Sequence, residues 1–295
     1  MPPDTFELHR EKLFGVAYRM LGSASEAEDV VQDAWLRYDA VARDSIRSPE
    51  AFLTTIVTRL CLDRLKSARA TREEYVGPWL PEPLLTDGRA GPEQSAALAE
   101  SVSLAFMVLL ETLTPEERAT FLLREIFEYD YESIAEILKT TPANCRQLFH
   151  RAKVHLQDRK PRFRDDARRK RELVGRFLAA LRDGDAAGFT SVLTADVALW
   201  SDGGGKVLAA RRPIFGRDHV IQLMVGIRRT ASSMGYDLSQ WAIQIVDVNG
   251  EPALAQRVAG RVDSIYTFEF VADGITALRI VRNPDKLRYI AQQLQ

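Results

Sequence analysis

Leu113-Thr114-Pro115-Glu116-Glu117 fixes a helix start so firmly that the segment from there to Lys153 has few ways to fold. The Thr114 hydroxyl is placed to accept from the Glu117 amide while the Glu117 carboxylate reaches back, a capping box. Pro115 falls at the first helical position, where its missing N–H leaves no bond unmade. Asp130 precedes a second start, Tyr131 to Leu138, in which Ile134, Ile137 and Leu138 recur at helical spacing. Thr141-Pro142 repeats the cap-then-proline signal for a third helix, Ala143 to Gln157. Lys139 and Thr140 alone separate the last two helices, so the order predicted is a helix-turn-helix. Its last helix carries Asn144, Arg146, Gln147, His150, Arg151 and Lys153, side chains that reach base edges and phosphates when such a helix lies in a major groove.

A chain of 295 residues exceeds what one hydrophobic core organises, so two or three domains are expected. No apolar run approaches the roughly 20 residues that span a bilayer, and Met1-Pro2-Pro3-Asp4 lacks the basic-then-apolar order of a signal peptide. A cytoplasmic protein without a membrane partner is expected. The two cysteines, Cys61 and Cys145, fall in different predicted helices, which supports neither a disulfide framework nor a metal cluster; no metal and no cofactor are expected. The net charge of −1 hides an uneven distribution. From Arg146 to Arg171 eleven lysines and arginines face three aspartates, a pattern suited to phosphate, although Lys160 to Lys170 reads equally well as a solvated linker.

Nearer the N-terminus, Ala27, Val30, Val31, Ala34 and Trp35 form one apolar helical stripe and turn Glu28, Asp29, Gln32 and Asp33 outward. Ser25 followed by Glu28 offers a capping box for that helix. Its acidic face repels DNA, and reads as a solvated surface or as a docking face for a basic protein. The next helix starts at Ser48-Pro49, buries Leu53, Ile56, Val57 and Leu60, and becomes basic from Asp63-Arg64-Leu65-Lys66 to Arg72. Arg59 and Lys66 lie two turns apart on one side, with Arg69 and Arg72 beyond them, an arrangement suited to single-strand or backbone contacts.

Tyr75 to Gly88 is rich in proline and glycine and reads as a linker, yet its Trp79, Leu80, Leu84 and Leu85 are costly to leave in water. After Lys170 the pattern turns α+β. A helix with Leu173, Val174, Phe177, Leu178 and Leu181 inward precedes an extended run, Val197 to Trp200, a turn at Ser201 to Gly205 and a hairpin partner at Val207 to Ala210. A helix from His219 to Gly226 and strands at 241–248, 253–270 with an interruption, and 275–281 complete a curved antiparallel sheet, with Asp273-Gly274 as the last hairpin turn. The glycine run lacks the strand, loop and helix order of a phosphate cradle. Asp202 and Lys206 are expected to pair with each other or to contact the tail. Trp200, Phe215, Tyr236 and Trp241 are candidate linings of an apolar pocket, with a buried core as the plainer role. His219 is a candidate base, with a helix-start or solvated histidine as the plainer reading. No carboxylate and base stand at a telling spacing, so no catalytic residue is assigned.

Taken together, these segments resemble a bacterial sigma factor of the extracytoplasmic-function group. Ser25 to Arg37 resembles its polymerase-clamp-binding helix, Phe52 to Arg72 the promoter-melting part of region two, and Leu113 to Leu156 region four, with Arg146, His150, Arg151 and Ala152 matching the recognition helix. Lys139 and Thr140 stand where many members build the turn around glycine. Arg168 to Asn283 resembles the SnoaL-like domain, a cone-shaped α+β fold whose relatives include polyketide cyclases, ketosteroid isomerase and epoxide hydrolases. A subgroup of these sigma factors carries such an extension with three motifs, present here as Trp79-Leu80-Pro81-Glu82-Pro83, Asp202-Gly203-Gly204-Gly205-Lys206 and Asn283-Pro284-Asp285-Lys286-Leu287.

The resemblance implies two all-α modules and an α+β domain: region two at 1–74, a linker at 75–107, region four at 108–160, the SnoaL-like domain at 161–282 and a tail at 283–295. It implies core RNA polymerase and promoter DNA as partners, with a small apolar ligand in the SnoaL-like domain as a further one. Asp29, Gln32, Asp33 and Trp35 would bind the polymerase. Arg59, Asp63, Arg64, Lys66 and Arg69 would engage the melted minus-ten element, and Thr141, Asn144, Arg146, Gln147, His150, Arg151 and Lys153 the minus-thirty-five element. The three subgroup motifs would form a regulatory contact. Two alternatives stay open: a bifunctional protein whose sheet domain is an active hydrolase or isomerase, and a ligand-sensing repressor that binds duplex DNA without polymerase, against which the acidic Asp29 helix argues.

Overall fold

The computed structural model describes residues 5–42, 46–86, 103–157, 167–233 and 240–294. Tyr236, the side chains of Arg69 and Arg72, and the basic stretch 158–166 lie outside the described residues. The chain divides into two compact units, 1–74 with 106–160, and 75–105 with 161–295.

In the first unit α1 (Thr5–Leu21), α2 (Ala24–Asp39) and α3 (Pro49–Glu73) pack through Leu13, Val16, Ala27, Val30, Leu53 and Val57, all buried. The predicted stripe of α2 is buried except at its edge, where Trp35 is 39 % exposed. The cap of α2 is Ser23 rather than Ser25: its hydroxyl accepts from the Glu26 amide at 3.1 Å, and Ser25 bonds the Ser23 hydroxyl instead. Gly22, at φ 69°, turns the chain straight after α1, which leaves Ser23 in the extended conformation a cap needs.

The helix-turn-helix forms as its caps dictate. After α4 (Leu104–Leu110), α5 (Pro115–Phe121) starts with the full capping box, Glu117 N to Thr114 Oγ1 at 3.3 Å and Thr114 N to Glu117 Oε2 at 3.1 Å. It continues as one π-helical turn, Leu122–Ile126. Asp130 caps α6 (Tyr131–Leu138) by accepting from Ser133 N at 2.7 Å, and Thr141 caps α7 (Pro142–Gln157) by accepting from Asn144 N at 3.2 Å. Lys139 takes the left-handed conformation, φ 55° and ψ 49°, that a glycine would adopt without strain. The Asn144 amide donates to Thr140 Oγ1 at 2.9 Å and helps to hold that turn.

The second unit is α+β. Helices α8 (Ala167–Asp183) and α9 (Ala186–Thr190) precede β1 (Leu193–Asp202), β2 (Ile214–Phe215) and α10 (Arg217–Ser233). Strands β3 (Trp241–Val248), β4 (Glu251–Val258), β5 (Arg261–Val271) and β6 (Gly274–Val281) follow as a meander, then α11 (Pro284–Gln293), a helix where a tail was expected. The sheet order is β2-β1-β6-β5-β4-β3. It is mixed rather than antiparallel, because α10 carries the chain to the far edge before β3 and the meander returns β6 alongside β1 in the same direction. Phe177 from α8 is fully buried against Phe189 and Phe268, edge-to-face with ring centroids 5.1 Å apart in both pairs. The partner of β1 is Ile214–Phe215 and not Val207 to Ala210, since Gly203 to Lys206 curls into a tight turn that directs the chain off the sheet.

Candidate nucleic-acid interface and linker clasp

On α7 the buried residues Cys145, Leu148, Ala152 and Leu156 form the inward stripe, and Arg146, Gln147, His150 and Arg151 share the exposed face. The Arg146 guanidinium lies 5.6 Å from the Tyr131 ring centroid, and Arg151 Nε is 3.7 Å from Glu117 Oε1, a loose and solvent-screened contact. The other candidates on this element have work within the fold: Thr141 caps, Asn144 braces the turn, and Lys153 pairs with Glu125 at 3.2 Å.

The basic helix α3 differs from the expectation in what its side chains do. Arg59 donates to the carbonyls of Ile137 and Glu136 at 2.9 Å each, where it satisfies the C-terminal end of α6 instead of standing free. Lys66 pairs with Glu116 at 3.3 Å, and Asp63 is exposed. Arg64 reaches α2, with Nη2 3.1 Å from Asp33 and Nη1 3.9 Å from Asp29, so two of the acids proposed for polymerase lean on a neighbouring cation. Gln32 on the same helix is exposed. A contact that sequence reasoning missed ties the two helical modules: buried Arg118 donates to Met20 O at 2.7 Å and pairs with Glu111 at 2.7 Å. Burial also pulls the Arg19 guanidinium down to about 10.

Within the second unit the three subgroup motifs meet around one fully buried carboxylate. Asp202 Oδ2 accepts from Lys286 Nζ at 2.7 Å and from the Leu80 amide at 2.8 Å, while Oδ1 accepts from the Tyr75 phenol at 2.5 Å and the Gly204 amide at 3.0 Å. Lys286 Nζ also donates to Leu80 O at 2.5 Å and stands 4.1 Å from the Trp79 ring centroid. The ammonium is thus paired, hydrogen-bonded and stacked under an indole. Leu80, Pro81, Glu82 and Pro83 are buried; Trp79 is half-buried and lids the ammonium. Asp202 and Lys206 do not pair with each other: each takes a partner from the tail motif, Lys206 bonding Asp285, whose carboxyl that bond holds below the usual carboxylate range.

The glycines of the turn have a steric reason. Gly204, at φ 58°, sits where an added Cβ would be 2.3 Å from Asn283 Nδ2, and Gly205, at φ 71°, lies under Val76. Asn283 caps α11 by accepting from the Asp285 amide at 3.1 Å and donates to the Tyr75 phenol at 2.9 Å; Pro284 takes the first helical position and Leu287 is buried. Downstream, the linker pairs with the β3–β4 turn, Asn249 N to Leu84 O and Thr86 N to Asp247 O at 2.8 Å each.

Tyr75 was not singled out by the sequence, although it opens the linker. Burial and its bond to Asp202 push its phenol well above the ordinary tyrosine value of 10.0. The bond is therefore intact below pH 10.0 and is lost as pH rises past that value through the raised one. In a spectrophotometric titration at alkaline pH, Tyr75→Phe is expected to remove a phenol from the latest-titrating class; a difference confined to the ordinary class would contradict the buried bond.

The sheet domain also holds a cavity of about 940 Å³, which Trp241 lines as expected and to which His219 contributes as well. Trp200 and Phe215 do not line it. They pack edge-to-face with centroids 6.3 Å apart, under the Arg279 guanidinium at 5.1 Å from the Trp200 ring. His219 Nδ1 is 3.0 Å from the Phe215 carbonyl, a bond to its own helix start.

Comparison with known proteins accounts for this assembly. Residues 5–71 match the family model for Sigma-70 region 2, and residues 103–156 that for Sigma-70, region 4. The chain is 36% identical over 298 residues to the ECF RNA polymerase sigma factor SigJ of Mycobacterium tuberculosis, an alignment that covers 97% of this chain and 93% of the relative. It is 29% identical over 295 residues to the probable ECF RNA polymerase sigma factor SigI of the same species, covering 97% and 94%. The crystal structure of the M. tuberculosis extracytoplasmic function sigma factor SigJ matches with a TM-score of 0.74 at 36% identity over 96% of both chains. The relative similar along nearly its whole length joins the helical modules to the sheet domain in one family: this chain is a member of the extracytoplasmic-function RNA polymerase sigma factors, which direct promoter-specific initiation of transcription.

Proposed function

We propose that the chain recruits core RNA polymerase through Asp29, Gln32, Asp33 and Trp35 on α2 and reads the upstream promoter element with Arg146, Gln147, His150 and Arg151. The observation that carries this reading is the exposed face of α7, which puts these four residues on one side of a firmly capped helix. Asp63, Arg64, Lys66 and Arg69 on α3, together with Arg59 once it leaves the carbonyls of α6, serve the melted downstream element. The described arrangement, with Arg59 engaged, is a resting one. The chain performs no chemistry itself; nucleotidyl transfer belongs to the polymerase, in whose compartment, the cytoplasm, the chain works. The sheet domain regulates this activity by holding the linker between the two helical modules in the Asp202–Lys286 clasp.

Reconstituted transcription with purified core polymerase on a promoter library tests the assignment. Arg146→Ala is expected to relax preference at one upstream position, since a bidentate arginine to guanine contributes about 1–3 kcal/mol of discrimination. Arg151→Ala is expected to weaken all promoters alike, as the loss of a phosphate contact does. Unchanged preference and unchanged affinity in both variants would remove them from the interface.

A further inference from the structure

Strand β2 closes the sheet at one edge and has a neighbouring strand, β1, on one side only. A sheet edge left open beside an exposed apolar side chain is a template for association with another chain. Phe215 on this edge is 62 % exposed. Its ring nevertheless has a fixed support, since it packs edge-to-face on Trp200, which lies under the Arg279 guanidinium. Pro213 fixes the backbone angle just before the strand, and Gly216, at φ 87°, turns the chain from β2 straight into α10. An aromatic side chain ordered in advance loses little entropy when something packs on it.

The charges that flank Phe215 are exposed as well. The side chains of Arg211, Arg212 and Asp218 make no hydrogen bond and no ion pair among the described residues. Nearby cations of the same unit are engaged: Lys206 with Asp285, Arg217 with the Leu193 carbonyl at 3.5 Å and Arg282 with Asp263. Along the chain the order is two cations, an apolar centre and an anion. Arg212 stands three residues before Phe215 and Asp218 three residues after it. A two-fold axis through Phe215 therefore sets Arg212 of each copy against Asp218 of the other, with Arg211 beside it. Three residues span about 10 Å at full extension, so one small contact region takes in the centre and both flanks. Duplex DNA fits this surface poorly, because phosphate gains nothing from Phe215 and is repelled by Asp218. Aromatic and arginine side chains together are what protein interfaces favour.

We infer that the β2 edge is a two-fold interface between two copies of this chain, in which Phe215 packs on its counterpart and Arg211 and Arg212 of each copy pair with Asp218 of the other. Exposed ion pairs contribute little each, so the aromatic centre holds the copies together and the charges set their orientation. A contact region of this size belongs with weak, reversible interfaces, and the dimer forms and dissociates with protein concentration.

Sedimentation of the full-length protein across the micromolar range is the measurement, and a reversible monomer–dimer equilibrium is expected. Phe215→Ala is expected to weaken the dimer at least tenfold with an unchanged circular-dichroism melt, as removal of an exposed ring should. Arg211→Glu with Arg212→Glu sets acids against Asp218 in both contacts, and Asp218→Arg sets arginines against arginines; each protein alone is expected to dimerise at least tenfold more weakly. Mixed together, the two are expected to form a heterodimer within about threefold of the wild-type affinity, because both contacts then join opposite charges. Only a two-fold arrangement gives that rescue, and misfolding of either variant cannot imitate it. A wild-type protein that stays monomeric at every concentration overturns the interface, as does a dimer indifferent to Phe215→Ala and to both charge reversals. A mixture that stays monomeric while wild type dimerises overturns the pairing of the arginines with Asp218. A monomeric protein whose affinity for duplex DNA falls in the Arg211→Glu and Arg212→Glu variant would assign the surface to nucleic acid instead and overturn the proposal.

Discussion

Replacing Lys286 with methionine is expected to destabilise the second unit by about 3–5 kcal/mol, the usual consequence of stripping the partner from a buried charge. For a unit of this size that is a fall in melting temperature of roughly 10 °C. The size of the effect comes from what is left behind: the Asp202 side chain is fully buried, and its remaining donors, the Leu80 and Gly204 amides and the Tyr75 phenol, are neutral. Methionine preserves most of the stem under Trp79, so packing loss contributes little. Adding Asp202→Asn to the same chain is expected to recover part of the loss, because an amide needs no counter-charge. Thermal denaturation of the single and double variants checks both statements. A Lys286→Met protein within about 1 kcal/mol of wild type would show that the pair does not anchor the linker.

The second large effect is expected at the face of α2 proposed to dock polymerase. Asp29→Lys combined with Asp33→Lys places two cations on α2 against a basic partner, and like charges across an interface cost several kcal/mol. Binding of core polymerase should fall on the order of a hundredfold or more. Both carboxylates also face Arg64, at 3.9 and 3.1 Å, so the reversal removes two exposed internal contacts. Such contacts are weak, and the melting temperature should move little. Arg64→Ala separates the two causes, since it loses the internal contacts and leaves the acids in place. Titration with labelled core polymerase in moderate salt is the measurement; wild-type affinity in the doubly reversed protein would remove α2 from the docking face.

How much of this was legible beforehand follows the range of the forces involved. The starts of α5, α6 and α7 were readable residue by residue, because a cap, a proline and a 3.6-residue period act within one turn of chain. The one misplaced cap, Ser25 for Ser23, failed because Gly22 ended the preceding helix and moved the start, which the local motif does not encode. Strands β3 to β6 were recognisable from alternation and from Asp273-Gly274, but the direction of β1 against β6 was not, since parallel pairing depends on where the chain re-enters the sheet. Val207 to Ala210 looked like a strand and is not one, because the Gly203 to Lys206 turn directs it off the sheet and Arg282, from a distant part of the sequence, holds the carbonyl of Leu208 there.

The sites divide the same way. The exposed face of α7 is fixed by helical phase and was readable from sequence, and the same phase could have warned that Asn144 faces the turn. Arg59 was read as a free cation because its own helix exposes it; only packing against α6 brings two orphan carbonyls within its reach. The apolar linker announced that something covers it, and the motif resemblance named the covering segments. What the sequence by itself determined was therefore the local grammar: caps, periods, turns and the charge carried by each helix face. Tertiary structure alone decided that one buried carboxylate, Asp202, gathers a phenol, an amide and an ammonium from segments as far apart as Tyr75, Leu80 and Lys286. A buried charge selects its partners by desolvation and distance in space, neither of which is written in the order of residues along the chain.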